Sequence, residues 1–564
     1  MITINHIHGR ARAQDGFSLL VVLGVMLISG LLLVGALTAA QGDIHLSSSS
    51  SSHTQAYYAA LAGIQEYDYK LQNNPDYWEN CEAPSGEAEG AHFEDVVMPA
   101  ESAPSGTTEC AASNPFNTVI QSKGSLANTF RVEATACSGP AKLTSCKSQP
   151  HDVEVRSVIA TFQVTGFLNY AYFTQYEDED YNLIGASAAE CEQYYSVRST
   201  ERNNKCVEIE FAPEDSVHGP MHTDDAANVC GEVEFGRKGE TPADAVEING
   251  GVNLLCRGNP TYNTATGSYT KGKELRAPES DSSLKLYVES KNVLEGATHL
   301  VLNGGTNTIE VTNGGSKTTM SWPENGLIYI EKKQKGGVCT YEYRQMSADL
   351  ANETTEEEGC GTVYVSGTYS KSLTIAAERD VIIAGNLLPT GVTEGHAPAG
   401  TNTLGLIATH YVRIYHPVGE TYTRKGSQCE SHQGYQDKET KSGSGVCLYT
   451  NEYDQSSGET RCDAPNASGS LENPWIYAAI LSTSHSFLVD NYACGSQTQL
   501  GKLNLYGAIA QKFRGIVGQT GSEAHGYIKN YNYDNRLATD EPPYFLAPLK
   551  AGWKIIRETA PSQG

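Results

Sequence analysis

The stretch richest in side chains that bind metals is VHGPMHTDDAANVC, at residues 217–230. His218 and His222 are four residues apart, so a helix would put both imidazoles on one face, where they could share a zinc ion. Asp224 and Asp225 would add carboxylate oxygens. A glycine–proline pair separates the histidines, however, and proline interrupts a helix. The sequence therefore predicts an extended turn that binds no metal, with these four residues as the candidate ligands if one is bound.

A second group of acids lies in QYEDEDY, residues 175–181. A calcium site needs about six to eight oxygen ligands at fixed positions. The stretch lacks the D-x-D-x-D-G pattern that supplies them in calcium loops. We therefore interpret it as a solvent-exposed loop.

Motifs for enzymatic chemistry are absent from the chain. There is no G-x-S-x-G, no phosphate-binding loop and no H-E-x-x-H. Glycosidases use paired carboxylates, but the strongest strand-forming segments, 404–416 and 503–517, contain no acid. The sequence predicts a non-enzymatic protein without catalytic residues or a cofactor. The alternative is a membrane-anchored, β-helical, carbohydrate-active enzyme whose acids come together from successive rungs.

The element that could anchor the chain is an uninterrupted apolar run of 24 residues, from Phe17 to Ala40, behind Arg10 and Arg12. At about 1.5 Å per residue this helix would reach about 36 Å, enough for a hydrocarbon core of about 30 Å. A secretory signal peptide is the alternative, but its apolar region is usually shorter, about 7–15 residues. The arginines predict a cytoplasmic N-terminus, with the bulk of the chain extracytoplasmic.

The helix is predicted to continue beyond the apolar run. Tyr57, Leu61, Ile64 and Leu71 recur at spacings of 4, 3 and 7, which is typical of one apolar stripe on a helix. A proline at position 75 ends the pattern. We therefore predict a helix over residues 17–77, first transmembrane and then amphipathic, preceded by the short basic segment 1–16.

The short basic leader, the Gly16–Phe17 junction, the apolar span and the continuing helix resemble a type IV prepilin. The stretch AYYAALAGIQEYDYKL, residues 56–71, is similar to the helix of PilX-like minor pilins. The resemblance covers about residues 10–78. It implies cleavage after Gly16 by a prepilin peptidase, methylation of Phe17, and packing with other pilin-like subunits through the helix. Val21 stands where the family usually has glutamate, which implies a tip, priming or pseudopilin-like subunit.

The cysteines and the charge agree with an exported protein. Cysteines widely spaced behind an export segment predict disulfides, and Cys137 with Cys146 and Cys429 with Cys447 are candidate loop closures. A formal net charge of −26 argues against a nucleic-acid partner. The 14 candidate disulfide cysteines are Cys81, Cys110, Cys137, Cys146, Cys191, Cys206, Cys230, Cys256, Cys339, Cys360, Cys429, Cys447, Cys462 and Cys494.

Apolar and polar residues alternate with period two in residues 128–137 and 151–164. This pattern predicts an antiparallel hairpin in a small sheet packed on the helix. We assign the small, pilin-head-like β region to residues 78–204.

Repeated short strands separated by small or polar corners follow in segments 404–416, 476–489 and 503–517. Such repetition is typical of a β-solenoid, here a parallel β-helix over 205–546 with long loops, and a β-sandwich is the alternative. Residues 547–564 are predicted to be a C-terminal tail. The fold prediction is thus mainly β with one long N-terminal α-helix.

Together these features predict a non-enzymatic, single-pass membrane protein of the cell envelope. Its helix would anchor it in the membrane and its disulfide-closed β domain would be displayed at the cell surface. The expected roles are pilus assembly, adhesion, or binding of a surface glycan or protein.

Overall fold

The protein is mainly β, and its chain divides into two compact units. Unit 1 comprises Met1–Ala112, Phe130–Phe162 and Ile555–Gly564, and unit 2 comprises Ser113–Thr129 and Gln163–Lys554. The computed structural model describes residues 17–73, 77, 86–88, 91–97, 129–138, 153–195, 205–335, 339, 343, 359–417, 421–423, 446–448, 453–454, 459–460, 470–492, 500–519, 524–549 and 553–559.

The α-helices are α1 (Phe17–Asn73), α2 (Tyr181–Ile184) and α3 (Ala188–Cys191). The strands up to residue 331 are β1 (Gly86–Ala88), β2 (Ala91–Val97), β3 (Thr129–Ser138), β4 (Val155–Val164), β5 (Tyr172–Tyr176), β6 (Glu210–Phe211), β7 (Ser216–His218), β8 (Met221–Thr223), β9 (Ala226–Val229), β10 (Glu234–Phe235), β11 (Val246–Ile248), β12 (Gly251–Leu254), β13 (Thr261–Tyr262), β14 (Val293–Glu295), β15 (Thr298–Asn303), β16 (Thr308–Asn313), β17 (Ser316–Ser321) and β18 (Leu327–Glu331). The later strands are β19 (Val363–Tyr369), β20 (Leu373–Ala377), β21 (Val381–Pro389), β22 (Leu404–Ala408), β23 (Val412–Ile414), β24 (Thr421–Thr423), β25 (Val446–Leu448), β26 (Tyr453–Asp454), β27 (Glu459–Thr460), β28 (Trp475–Ser482), β29 (Phe487–Val489), β30 (Lys502–Phe513), β31 (Gly518–Gln519), β32 (His525–Gly526), β33 (Ile528–Tyr533) and β34 (Trp553–Thr559).

Unit 1 is built on a five-stranded sheet in the order β1-β2-β3-β4-β34. The β1–β2 and β2–β3 pairs are antiparallel. Ser138 N–H donates to Glu154 C=O and Thr135 faces Ser157, which is an antiparallel register for β3 and β4. The last strand, β34, therefore lies beside a strand that precedes it by almost four hundred residues.

The second half of α1 buries one face. Ile64 and Leu71 of the predicted stripe are fully buried, whereas Tyr57 and Leu61 are only half-buried. The stripe is centred instead on small side chains, which let neighbouring backbone approach closely. Tyr67 joins it and packs against Phe162 of β4, with 5.8 Å between ring centroids. The buried alanines of this face are Ala56, Ala59 and Ala60.

Unit 2 contains a twenty-stranded sheet whose strands pair mostly in parallel. Three ladders run through it, and each joins strands that are far apart in sequence. The first is β14-β18-β20-β22-β28-β30-β5-β8-β11, the second is β15-β19-β21-β23-β29, and the third leads from β30 through β33, β7 and β10 to β13.

The register of these ladders places similar side chains directly beside one another on neighbouring strands. In one row Ile328, Ile375, Leu406, Ile480 and Ile509 are direct neighbours, and all are fully buried. β20 and β22 are buried at every position, as expected for parallel strands covered on both faces. β16 and β17 are different, because they extend β15 as antiparallel strands.

The two units divide the chain differently from the sequence prediction. The predicted small β region, 78–204, and the predicted 205–546 domain meet at residue 205, whereas unit 2 resumes at Gln163 and β5 already belongs to its large sheet. The predicted tail, 547–564, contains β34 of the unit 1 sheet. A single strand has no repeat beside it in the sequence to reveal its partner.

Replacing Gly507 with alanine should destabilise unit 2. Gly507 lies in β30, and a Cβ there would be 1.8 Å from the carbonyl oxygen of Ala478 on the adjacent strand. Backbone at that distance must move, so we expect a loss of about 1–3 kcal/mol in thermal or denaturant unfolding. Gly305→Ala is the matched control, because a Cβ there meets nothing within 4 Å. Equal stability of both variants would contradict the packing of β28 on β30.

Candidate functional site

The first candidate for a functional surface is the exposed apolar part of α1. From Val21 to Val34, every large apolar side chain is 50–69% exposed. A contiguous apolar surface of this length marks an interaction site. Phe17 is the first residue of α1, and Val21 is half exposed, but Gly16 lies outside the described residues. In the part of the chain that the structure describes, no helix combines the length and apolarity needed to cross a membrane.

His222 is held between two carboxylates. Its Nε2 is 2.9 Å from Asp224 Oδ1 and its Nδ1 is 2.7 Å from Glu247 Oε2. Tyr170 OH donates to the same Glu247 oxygen at 2.8 Å. Burial alone would lower the pKa of His222, but the two carboxylates raise it. Both imidazole nitrogens are thus occupied by hydrogen bonds within the protein.

The other predicted ligands are not brought to His222 as a coordination sphere. Asp225 accepts backbone N–H groups from Glu177 and Tyr195. The imidazole of His218, on β7, is 3.6 Å from a carboxylate oxygen of Glu234 on β10. Asp225 therefore binds backbone groups of other segments.

The acidic run 175–181 is buried, so the prediction of a solvent-exposed loop is wrong. Glu177 and Asp180 are almost completely excluded from solvent. Arg514 Nη1 lies 2.8 Å from Glu177, and His485 Nδ1 lies 2.6 Å from Asp180. Burial raises the pKa of Glu177, and Arg514 opposes that shift. The partner of Glu177, Arg514, lies more than three hundred residues away in the sequence, so no local pattern reveals it.

A charged cluster that sequence reasoning missed surrounds Arg413 on β23. One guanidinium nitrogen lies 3.1 Å from Asp380 Oδ2, and another lies 2.7 Å from Asp490 Oδ2. All three side chains are at most 2% exposed. Burial would raise the pKa of Asp380, but Arg379 and Arg413 lower it below its usual value. Burial raises the pKa of Asp490 despite Arg413.

Tyr343 covers this Arg413 cluster. Its hydroxyl donates to Asp490 Oδ1, and Arg413 lies over its ring, 5.1 Å from the centroid. The disulfide Cys339–Cys360 closes the segment that carries Tyr343. The two carboxylates of the cluster come from the ends of different strands. Both are paired with Arg413 and shielded from solvent.

Asp281 is a buried acid of another kind. Tyr329 OH and Thr409 Oγ1 donate to its Oδ1 at 2.8 and 2.9 Å, while its Oδ2 is buried without a hydrogen-bond partner among the described residues. Burial raises the pKa of Asp281 to about 7, against the lowering effect of these two donors. A carboxyl group in this setting is protonated below neutral pH.

Disulfides are present, as the cysteine pattern predicted. The pairs are Cys191–Cys206, Cys230–Cys256 and Cys339–Cys360, and Cys137 is disulfide-bonded too. Cys146 and Cys429 lie outside the described residues, as does the side chain of Cys447, so the pairings suggested for them stay predictions. Cys191, Cys206 and Asp178 have possible metal-ligand atoms within 4.8 Å of one another. Because the two cysteines are joined in a disulfide, they offer no thiolate to a metal ion.

No family model, curated protein or solved structure in the comparisons matches this chain.

Removing the Arg413 charge should be strongly destabilising. Arg413→Met leaves Asp490 without its guanidinium partner and leaves Asp380 only the more distant Arg379, at 3.8 Å, so we expect a loss of about 3–5 kcal/mol in denaturant unfolding. Arg276→Met is the control, because Arg276 is 48% exposed beside Glu274 and should change stability by less than about 1 kcal/mol. Adding Asp490→Asn to Arg413→Met should restore part of the loss. No recovery in the double variant would show that packing, and not charge, is what Arg413 provides.

Asp281 should make the protein less stable as pH rises. Its folded pKa of about 7 lies above the unfolded value of about 3.9, so the folded state holds one more proton between these pH values. The free energy that this proton contributes to folding is fully present below about pH 4 and is lost as pH rises to about 7. The total loss is on the order of 4 kcal/mol.

Asp281→Asn should remove this dependence, so its stability relative to wild type should increase from pH 4 to pH 8. Chemical denaturation at several pH values measures the difference. Glu279→Gln, at an exposed neighbouring carboxylate, controls for the loss of one negative charge. Parallel wild-type and Asp281→Asn curves would contradict a buried protonated acid at this position.

Proposed function

We propose that this protein is a non-enzymatic, type IV pilin-like subunit of the cell envelope that displays a large β domain outside the membrane. The observation that carries the proposal is that the two parts of α1 differ in exposure to solvent. Its first part exposes a continuous apolar surface at Val21–Val34, and its later part buries a stripe that includes Ile64 and Leu71. One element thus offers an apolar surface for lipid or other helices and a fixed attachment for a folded head.

The apolar sequence extends beyond the described side chains, from Phe17 to Ala40. That length supports a membrane anchor before assembly and a helix-packing core afterwards. We propose cleavage by a prepilin peptidase between Gly16 and Phe17, which leaves the apolar run in the mature protein. The partners are the membrane and other pilin-like helices.

Unit 2 is proposed to be a parallel β-helix. Support comes from its three ladders of parallel strands and from rows of like residues at equivalent positions, such as Leu406, Ile480 and Ile509. Stacked rungs of this kind bury a continuous core and leave loops on the outside. The antiparallel sheets of a sandwich would not give parallel pairing between strands so distant in sequence.

The path of the chain supports display. The larger part of unit 2, Gln163–Lys554, begins within β4 and ends within β34, and both strands belong to the five-stranded sheet. This part of the chain is therefore connected to that sheet at both of its ends. The disulfides agree with an extracytoplasmic setting, where such bonds persist. The roles this arrangement suits are pilus assembly, adhesion and ligand binding.

Val21 supports a place at a tip or in a priming complex. An acidic residue at the equivalent position of pilins is absent here, and the side chain present is apolar and half exposed. We therefore expect few copies per fibre.

The second candidate function is that of a carbohydrate-active enzyme. The observation that favours it is the pair Asp380 and Asp490, brought together from different strands on one guanidinium. Their ion pairing and burial favour a structural role. Assays of the purified protein on polyuronates and glycans distinguish the two, because turnover that is lost in Asp380→Asn or Asp490→Asn, with folding retained, would establish the enzyme.

The proposed processing is tested at the leader junction. Mass spectrometry of the membrane-bound protein should find a methylated N-terminus at Phe17. Gly16→Trp should retain the leader and still partition into membranes, because the apolar run is unchanged, whereas Gly9→Trp should be processed normally. A mature chain that begins near Gln41 would show that the apolar run is a discarded signal peptide.

A further inference from the structure

Lys529 and Asp215 form a buried pair inside unit 2. β33 pairs in parallel with β7, and the register of Asn530 with Ser216 places Lys529 opposite Asp215. Lys529 Nζ is 2.6 Å from Asp215 Oδ2, and the two side chains are 8% and 2% exposed. Lysine is rarely buried to this degree in the interior of a protein.

The strand alternation shows that Lys529 occupies a core position. In β33, Lys529, Tyr531 and Tyr533 are buried, while the residues between them are half-buried. Lys529 is opposite Leu503, which is completely buried, on its other neighbouring strand. An ammonium group in this row has a large desolvation penalty.

The surroundings favour an uncharged amine. Burial lowers the pKa of Lys529, Asp215 opposes this shift, and the nearby Arg514 lowers it further. Arg514 is fully buried, so a second cation beside it is disfavoured. A proton passed from Nζ to the Asp215 carboxylate across their 2.6 Å contact gives a neutral amine next to a carboxylic acid.

The Asp215 carboxyl group is also oriented for reaction. Ala212 N–H donates to Oδ2 at 3.0 Å, the same oxygen that Lys529 contacts. This donor stabilises the electron density that moves onto Oδ2 when the Cγ–Oδ2 bond breaks and Oδ2 leaves as water. With ordinary hydrogen-bond angles, Nζ lies roughly 3–3.5 Å from Cγ, which is the range of a near-attack geometry.

From this geometry we propose that Lys529 and Asp215 are joined by an intramolecular isopeptide bond. The neutral Nζ attacks Cγ of the protonated carboxyl group, so an Nζ–Cγ bond forms and a Cγ–OH bond breaks. The departing hydroxyl takes one proton from the amine and leaves as water. No oxidant or further reactant is needed, and the buried site favours release of that water.

The consequence is a covalent link between two segments of unit 2 that are distant in the sequence. Asp215 precedes β7, Lys529 lies in β33, and 314 residues separate them. A cross-link that closes so long a loop strongly restricts the unfolded chain. It would also hold the ladder closed when force is applied at the chain ends, since unit 2 is connected on both sides to the unit 1 sheet. The bond rests on this contact alone and does not depend on the proposed display function.

The test is the mass of the purified, folded, full-length protein after reduction of its disulfides. We expect a mass lower than that of the linear chain by one water, about 18 Da. Proteolysis should yield a branched peptide that joins Lys529 to Asp215. Lys529→Arg is the matched control, because it keeps the positive charge opposite Asp215 but carries no amine, and Asp215→Ala removes the carboxyl group. Both variants should have their full linear mass.

The wild-type measurement decides the proposal even if both variants fail to fold. Quantitative recovery of separate, unmodified peptides that contain Lys529 and Asp215 would overturn it and leave a buried ion pair. Loss of water that persists in Lys529→Arg would overturn it too. Boiled, reduced wild-type protein should migrate faster in gels than Lys529→Arg, because a cross-linked chain remains compact after denaturation.

Discussion

Unit 2 depends on the parallel register between strands that are distant in the sequence. In a parallel ladder both faces of a strand are covered, so each inward side chain must fit the residues on the rungs above and below. The row that includes Ile375, Leu406 and Ile480 meets this condition with β-branched and aliphatic residues. Gly507 meets it in another way, since only a residue without Cβ allows the carbonyl of Ala478 to come so close.

The same constraint explains where the buried charges lie. The interior of a ladder accepts few polar groups, and three buried acids of unit 2 lie just before or just after strands, where the chain changes direction. Asp380 directly precedes β21, and Asp490 directly follows β29. Glu177 directly follows β5. Each is neutralised by an arginine from another part of the chain. Removal of one partner would leave a buried charge and would be strongly destabilising.

The sequence allows the strand content and the disulfides to be predicted, but it does not reveal the partners of the buried charges. Strand content and disulfides follow from local composition and spacing, and both are present. The acidic run 175–181 was mistaken for a solvated loop because its partners, Arg514 and His485, lie about three hundred residues away. The Arg413 cluster was missed for the same reason. The isolated arginine in the apolar stretch VRI was the one available signal, since a cation in a buried strand requires acids nearby.

Composition alone would assign the Arg413 cluster to catalysis, because carboxylates and an arginine gathered from several strands are also the parts of an active site. Pairing and access distinguish the two roles. A general acid or base must reach a substrate and exchange a proton with it, whereas Asp380 and Asp490 share one guanidinium and are at most 2% exposed. Tyr343 then occupies the outer side of the cluster. In contrast, the large apolar side chains at residues 21–34 of α1 are at least half exposed. The buried charges therefore stabilise contacts between distant segments of unit 2, and the apolar surface of α1 is the one on which the proposed contact with lipid or another helix rests.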